Sequence, residues 1–127
     1  MPAHELAAEI AAGVRFACHE SNGSVTGVMS SQDVQDVTLI RHAYVSTRTQ
    51  RIGIGAALLQ HLRRQTARPV LIGTWAAAGW AIRFYEKHGF RVIEGDEKNV
   101  LLKKYWTIPD RQIETSVVLA DERWPKR

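Results

Sequence analysis

A glycine loop between an apolar strand and an amphipathic helix is the strongest constraint in this sequence. The stretch Val45–Leu62 reads as a strand end, a basic loop and a helix, with Gly53 and Gly55 in the loop beside Arg48 and Arg51. Glycine lets the backbone turn tightly and come close to a ligand. The unpartnered amides and the dipole of a helix N-terminus favour an anion. The stretch therefore predicts a junction that binds phosphate.

Spacing separates the phosphate-binding motifs that this loop could represent. The pattern Gly-x-x-x-x-Gly-Lys-Ser/Thr of a Walker loop is absent. A dinucleotide fingerprint needs a third glycine where Leu58 stands, and an acidic residue about 20 positions further on, where the chain reads Ile72-Gly73-Thr74-Trp75. The pattern that remains is Gln50-x-x-Gly53-x-Gly55.

This pattern resembles the Gln/Arg-x-x-Gly-x-Gly/Ala acetyl-CoA motif of the GNAT superfamily of N-acetyltransferases. A second match lies downstream, where Ala81-Ile-Arg-Phe-Tyr-Glu-Lys-His-Gly-Phe90 is similar to the penultimate helix and turn of that family. The matched region runs from about Val37 to Ile93. The resemblance implies an acetyl-CoA-dependent N-acetyltransferase.

The same resemblance implies an α/β fold with a mixed, mostly antiparallel central sheet flanked by helices. The element order read from the chain is β-β-β-α-β-α-β-α-β in a single domain over residues 1–127. Relative to the family, the usual first strand and most of the first helices are expected to be missing. The sequence predicts helices over 4–12, from the glycine loop to Thr66, 77–88 and 97–106, and strands over 14–20, 24–30, 37–45, 70–75, 90–94 and 112–119, with a loop over 32–36.

Composition limits the other classes of function. Apolar residues make up 45% of the chain, and no apolar run approaches the roughly 18 residues of a membrane span. Cys18 is the single cysteine, which favours a reducing cytoplasm, and His4, His19, His61 and His88 show no metal-ligand spacing. The net charge of +4 comes from dispersed basic residues, several near the glycine loop. We therefore expect no membrane, nucleic-acid or metal partner.

The resemblance also implies which residues bind acetyl-CoA. The pantetheine arm would lie along the strand before the loop and bond to its main chain at Ala43, Tyr44 and Val45. The pyrophosphate would sit on the amides of the loop and first helical turn, which belong to Gln50, Arg51, Ile52, Gly53, Ile54, Gly55 and Ala56. Ala78 stands where many relatives carry an asparagine that contacts the pantetheine.

Transfer to an amine needs a base and an acid. An alkyl amine with a pKa near 10.4 must lose a proton before it attacks, and a thiolate must leave. Tyr85 stands at the family's acid position, and its alternative role is that of a core aromatic residue. The glutamate that serves as base in the histone-modifying branch is replaced here by Leu39. His42 is the first candidate for the base, because histidine titrates near neutrality.

Asp36 and Glu20 are weaker candidates for the base. Trp75 and Trp80 are expected to pack in the core, although one could line the acceptor pocket, and Cys18 is expected to be buried. The acceptor would be a primary amine of a small molecule or a protein, attacked directly in a ternary complex. The alternative is a non-catalytic CoA-binding module, and an open acceptor side suggests a homodimer.

Overall fold

The structure, a computed structural model, describes residues 13–21, 23–45, 53–106 and 108–125. Of five residues in this part of the chain it describes the backbone alone, namely Ser21, Ser24, His42, Val45 and Asp110. The predicted helix over 4–12 and most of the glycine loop lie outside the described residues.

Within these ranges the chain forms six strands and four helices. The strands are β1 (Val14–Ser21), β2 (Ser24–Val34), β3 (Val37–Val45), β4 (Val70–Trp75), β5 (Arg91–Ile93) and β6 (Ser116–Ala120). The helices are α1 (Ile54–Arg64), α2 (Gly79–Lys87), α3 (Gly95–Tyr105) and α4 (Asp110–Ile113).

The contacts divide the chain into two compact units, the first of which comprises the described parts of Met1–Asp33 and Ile40–Ala67. Strand β2 lies between β1 and β3 and pairs antiparallel with β1, with Val14 opposite Gln32 and a bulge after His19. Helix α1 packs against β1. The spacing of the apolar residues along α1 explains why one face is buried, at Ile54, Leu58, Leu59 and Leu62.

The second unit comprises Val34–Leu39 and the described part of Arg68–Arg127. Its strand order is β3, β4, β6, β5, and β6 runs antiparallel to both of its neighbours, with Leu119 opposite Ile72 and Val92. The core is formed by side chains of the strands, α3 and α4, and its members are Val37, Leu39, Leu71, Ile93, Leu101, Leu102, Tyr105, Ile113, Val118 and Ala120. The predicted mixed, mostly antiparallel α/β fold is confirmed.

Strand β2 is longer than the sequence predicts. The predicted loop over 32–36 is wrong, because β2 continues to Val34 and leaves only Gln35 and Asp36 in a turn. The guanidinium of Arg15 on β1 makes two hydrogen bonds of 3.1 Å to the carboxylate of Asp33, which holds this polar end of the strand in the sheet.

The chain between α3 and β6 also differs from the prediction of a strand over 112–119. A short helix, α4, follows Pro109, and β6 begins only at Ser116. The Ser116 hydroxyl donates to the Gln112 carbonyl at 2.6 Å and so satisfies a carbonyl at the end of α4. Local side-chain bonding therefore outweighs the β propensity of this segment.

Three residues that were expected to be buried are exposed. Cys18 lies exposed near the hairpin end of β1. Trp75 and Trp80 are 64% and 70% exposed, at the end of β4 and the start of α2. No helix in the described ranges is long and apolar enough to cross a membrane.

Candidate functional site

The N-terminus of α1 has the geometry that an anion site requires. Gly53 is the N-cap, with φ 81° and ψ 12° in the left-handed region that glycine adopts without strain. No side chain caps the helix, and its first turn contains no acidic residue. The amide of Ala57 donates to the Gly53 carbonyl at 3.0 Å, which is the first hydrogen bond of the helical pattern. The amides of the residues before Ala57 therefore have no partner within the helix.

These N-terminal amides belong to residues that the sequence had singled out, Ile54, Gly55 and Ala56. Helix α1 has 11 residues, long enough for its dipole to add to the attraction for an anion. His61, Arg63 and Arg64 in the last turn complement the opposite end of that dipole. The described part of the junction therefore fits a phosphate group.

Gly27 positions this junction, and it was not among the residues predicted from the sequence. A Cβ at Gly27 in β2 would lie 2.8 Å from Cγ2 of Ile54 and 3.1 Å from Cδ1 of Leu58. It would also lie 3.5 Å from the carbonyl oxygen of Tyr44. The missing side chain therefore lets the first turns of α1 lie directly on β2, close to the end of β3. A glycine inside an apolar strand pattern was the available signal.

The end of β3 carries the residues expected to bind the pantetheine arm. Ala43 and Tyr44 are both exposed, and Tyr44 has 62% of its surface accessible. Val45 is the last residue of β3. Gln50, Arg51 and Ile52 lie outside the described residues, so their part in the site stays a prediction.

Tyr85, the predicted acid, lies in the second unit on α2 and is 6% exposed. Its ring contacts Phe84 and Phe90 edge-on, with centroids 5.2 Å and 5.8 Å apart. Burial raises the pKa of the Tyr85 phenol above its ordinary value of 10.0. The phenol therefore stays protonated at neutral pH, as a proton donor must, while the ring packs as a core aromatic.

The end of α2 holds Tyr85 in place. The Tyr85 carbonyl accepts hydrogen bonds from the amides of His88, at 3.0 Å, and Phe90, at 3.1 Å. Gly89 between them has φ +92°, as the predicted helix stop requires. The motif Phe-Tyr-Glu-Lys-x-Gly-Phe is thus one local structure that fixes the backbone after the tyrosine.

The candidates for the base are less well supported by the described residues. His42 lies in β3, but its side chain is outside the described part. The carboxylate of Asp36 accepts a hydrogen bond from the Tyr105 phenol, which gives it a structural role. Glu20 is exposed beside the bulge of β1. None of the described His, Cys, Asp and Glu side chains forms a group that could hold a metal ion.

The sequence predicted one site, and its described residues fall in both units. The junction residues Gly53–Ala56 and Tyr44 belong to the first unit, whereas Tyr85 belongs to the second. Chemically, the junction offers amides for an anion and Tyr85 offers a protonated phenol.

Comparison with known proteins identifies the kind of domain that carries these features. A family model described as an acetyltransferase (GNAT) domain matches residues 12–92, more than half of the chain. No curated protein sequence matches the chain significantly.

Solved structures share the fold. A GNAT family acetyltransferase from Staphylococcus aureus Mu50 superimposes with a TM-score of 0.70 at 17% identity, over 88% of this chain and 69% of that one. A GNAT family acetyltransferase from Elizabethkingia anophelis, solved with acetyl-CoA bound, gives 0.68 at 24% identity over 95% and 84%. The ribosomal-protein-S18-alanine N-acetyltransferase from Escherichia coli gives 0.68 at 18% identity over 95% and 76%.

Proposed function

The chain belongs to the GNAT acetyltransferase family, and on that premise we propose that it is an N-acetyltransferase. It transfers the acetyl group of acetyl-CoA to a primary amine of a small molecule or a protein, by direct attack in a ternary complex. The observation that carries the proposal is the uncapped N-terminus of α1 behind the left-handed Gly53.

The cofactor site follows from this junction. The amides of the first turn of α1 would hold the pyrophosphate, and the backbone of Ala43–Val45 would hold the pantetheine arm. Hydrogen bonds between neutral amides and a charged phosphate are worth about 1.5–3 kcal/mol each. The exposure of Ala43 and Tyr44 at the end of β3 supports this assignment, because a strand end that binds a ligand must be accessible.

Catalysis would use Tyr85 as the proton donor. Acetyl-CoA would supply the acetyl group: the C–N bond to the amine forms, the C–S bond of the thioester breaks, and CoA leaves as the free thiol. Tyr85 would give its proton to the departing sulfur, and its buried ring holds the phenol in a fixed orientation. A base, for which His42 is the first candidate, would take the proton that the amine loses.

The first experiment is calorimetric titration of the chain with acetyl-CoA, using Gly53→Glu as the test variant. The substitution places a carboxylate at the helix N-terminus where phosphate should bind. Gly23→Glu is a matched control, because Gly23 has φ +79° against +81° for Gly53 and a Cβ meets nothing within 4 Å at either position. Both variants therefore carry similar backbone strain and the same added charge.

We expect saturable binding by the wild type and Gly23→Glu, and a loss of about tenfold or more in Gly53→Glu. Equal binding by all three proteins would contradict the cofactor site. Equal loss in both variants would mean that strain or net charge, and not the loop, controls binding.

A non-catalytic CoA-binding module is the alternative, because no glutamate stands at position 39. An assay of acetyl transfer to a panel of amines distinguishes the enzyme from the binding module. Tight acetyl-CoA binding with no transfer to any amine would favour the module. Transfer that falls in Tyr85→Phe would favour the enzyme.

We also infer a cytoplasmic homodimer. The free, exposed Cys18 fits a reducing compartment, where it would stay unoxidised. Light scattering at micromolar concentration tests the dimer, and a monomeric mass would contradict it.

A further inference from the structure

The second unit contains a cleft that the catalytic argument does not use. It has a volume of about 350 Å³, near the lower limit of the roughly 300–1,000 Å³ of small-molecule sites. The end of β4, the start of β6, the end of α3 and the segment that contains α4 form its walls. All of these elements belong to one compact unit.

Indole rings form part of this cleft. A Cβ at Gly73 would lie 3.1 Å from both Cε2 and Cζ2 of Trp106, so the indole lies directly against the glycine backbone of β4. Trp75 also lines the cleft, and it is 64% exposed. Since alternate residues of a strand share one face, Gly73 and Trp75 point to the same side of β4. Leu102 and Ile108 complete an apolar lining.

Three side chains in the cleft lining carry oxygen atoms that can accept hydrogen bonds, those of Gln112, Thr115 and Ser116. The hydroxyl groups of Ser116 and Thr115 donate to the Gln112 carbonyl, at 2.6 Å and 3.3 Å. A hydroxyl has one hydrogen, so its oxygen then offers only lone pairs to a ligand. The side-chain amide of Gln112 adds a carbonyl oxygen and an NH2 group. No acidic or basic side chain occurs among the described residues that line the cleft.

We propose that this cleft binds a primary amine carried on a flat apolar or aromatic body. The indole rings would contact the apolar body and attract the amine when it is protonated. The lone pairs of Ser116, Thr115 and Gln112 would accept its N–H groups. A carboxylate would bind an ammonium more strongly than the indole rings do, so it would also raise the pKa of the amine further and oppose more strongly the neutral form that attacks a thioester.

The inference rests on the proposed function, because it names the class of amine that the enzyme would acetylate. The rim of the cleft is tied to the segment that leads into α2. The Ala76 amide donates to the Thr115 carbonyl at 2.7 Å, and the Ala78 amide donates to the Trp75 carbonyl at 2.9 Å. The cleft wall at Trp75 and Thr115 is therefore bonded to the segment that leads into the helix that carries Tyr85.

The test is a titration of the full chain with 2-phenylethylamine in the absence of acetyl-CoA, with binding monitored by NMR. Trp75→Ala removes one indole from the cleft. Trp80→Ala is the matched control, because Trp80 is 70% exposed and does not line the cleft. Both side chains lie at the surface, so neither variant removes a buried core residue. The control ligand is 3-phenylpropionate, which has an aromatic body similar to that of 2-phenylethylamine but carries a carboxylate in place of the amine.

We expect Trp75→Ala to weaken binding by about fivefold to thirtyfold and Trp80→Ala to leave it unchanged. Thr115→Val, which removes one acceptor, should also weaken it, and 3-phenylpropionate should bind less well than the amine. Absence of saturable binding, equal weakening by both tryptophan variants, or equal binding of the acid would each overturn the proposal.

Measurements of acetyl transfer distinguish a failure of the proposed amine cleft from a failure of the proposed acetyltransferase function, on which the cleft proposal rests. Binding of 2-phenylethylamine that depends on Trp75, with no acetyl transfer to any amine, would support the cleft and contradict the enzyme. Acetyl transfer to hydrophilic amines with kcat/KM unchanged in Trp75→Ala would support the enzyme and overturn the cleft.

Discussion

The phenol of Tyr105, at the end of α3, donates a hydrogen bond of 2.5 Å to Oδ1 of Asp36, in the turn between β2 and β3. The two residues are 69 positions apart in the chain. Tyr105 is 6% exposed and belongs to the core of the second unit. The side chain of Gln35 donates to the Lys104 carbonyl at 3.1 Å, so two contacts attach this turn to α3.

Tyr105→Phe should lower the free energy of unfolding by about 1.5–3 kcal/mol at pH 7, since it removes a hydrogen bond to a carboxylate. Urea denaturation measures the change. Tyr44→Phe, at a side chain that is 62% exposed, is the control and should change stability little. Equal effects of the two substitutions would contradict the role of the Asp36 contact.

The same contact predicts how stability depends on pH. Burial, the hydrogen bond to Asp36 and the charge of Asp36 raise the pKa of Tyr105 above its ordinary value of 10.0. The unfolded chain releases this proton near pH 10 while the folded chain keeps it, so stability is fully present below pH 10 and falls as the pH rises further. In denaturation curves between pH 8 and 11, the free energy of unfolding should fall less in Tyr105→Phe than in the wild type. An unchanged slope would contradict the assignment.

Some elements could be predicted from the sequence with accurate bounds, because their signals are local. Strands β3 and β4 have the predicted limits, since each is rich in strand-forming residues and lies next to a turn or to Pro69. The left-handed Gly53 and Gly89 were also readable, because glycine marks such backbone positions.

Other features depend on contacts that no local pattern encodes. The four-residue α4 lies in a stretch of mixed propensity and ends where Ser116 bonds back to Gln112. The cleft could not be predicted, because it requires Trp106 to lie against Gly73, 33 positions earlier in the sequence numbering. Exposure of Trp75 likewise depends on which neighbours cover β4.

Gly27→Ala should destabilise the protein by about 1–3 kcal/mol, because its Cβ would lie 2.8 Å from Cγ2 of Ile54. Ile54→Ala removes that methyl group, so the double variant should lose at least about 1 kcal/mol less than the sum of the single changes. A thermodynamic cycle from urea denaturation measures this coupling. Gly73→Ala is the control, because a Cβ at Gly73 meets Trp106 instead, and it should show no coupling to Ile54→Ala. Strict additivity at Gly27 would contradict the packing.

Asp121→Ala should destabilise the protein by about 3–5 kcal/mol. The carboxylate is fully buried and accepts hydrogen bonds from the amides of Val70, at 3.1 Å, and Arg123, at 3.2 Å. It also pairs with the Arg123 guanidinium, at 2.9 Å, which would be left without this partner. Thermal denaturation measures the loss.

The control for Asp121 is Asp33→Ala. Asp33 also pairs with an arginine, but both side chains of that pair are 36% exposed, and such pairs contribute about 0–1 kcal/mol. Losses of similar size in the two variants would mean that burial of Asp121 does not determine its contribution.

Tyr85→Phe should lower kcat by about 100-fold or more and leave the Kd for acetyl-CoA unchanged, because it removes the proposed proton donor but keeps the ring between Phe84 and Phe90. Burial raises the pKa of Tyr85 above 10.0, so the wild-type rate should rise with pH as the amine is deprotonated and fall only when the phenol ionises. The variant should lack that falling limb. The control is Tyr105→Phe, assayed under conditions in which it stays folded. It lowers stability but keeps the Tyr85 phenol, so it distinguishes a loss of catalysis from a loss of stability. A kcat for Tyr85→Phe within twofold of wild type would leave Tyr85 as a core aromatic and require another donor for the leaving thiolate.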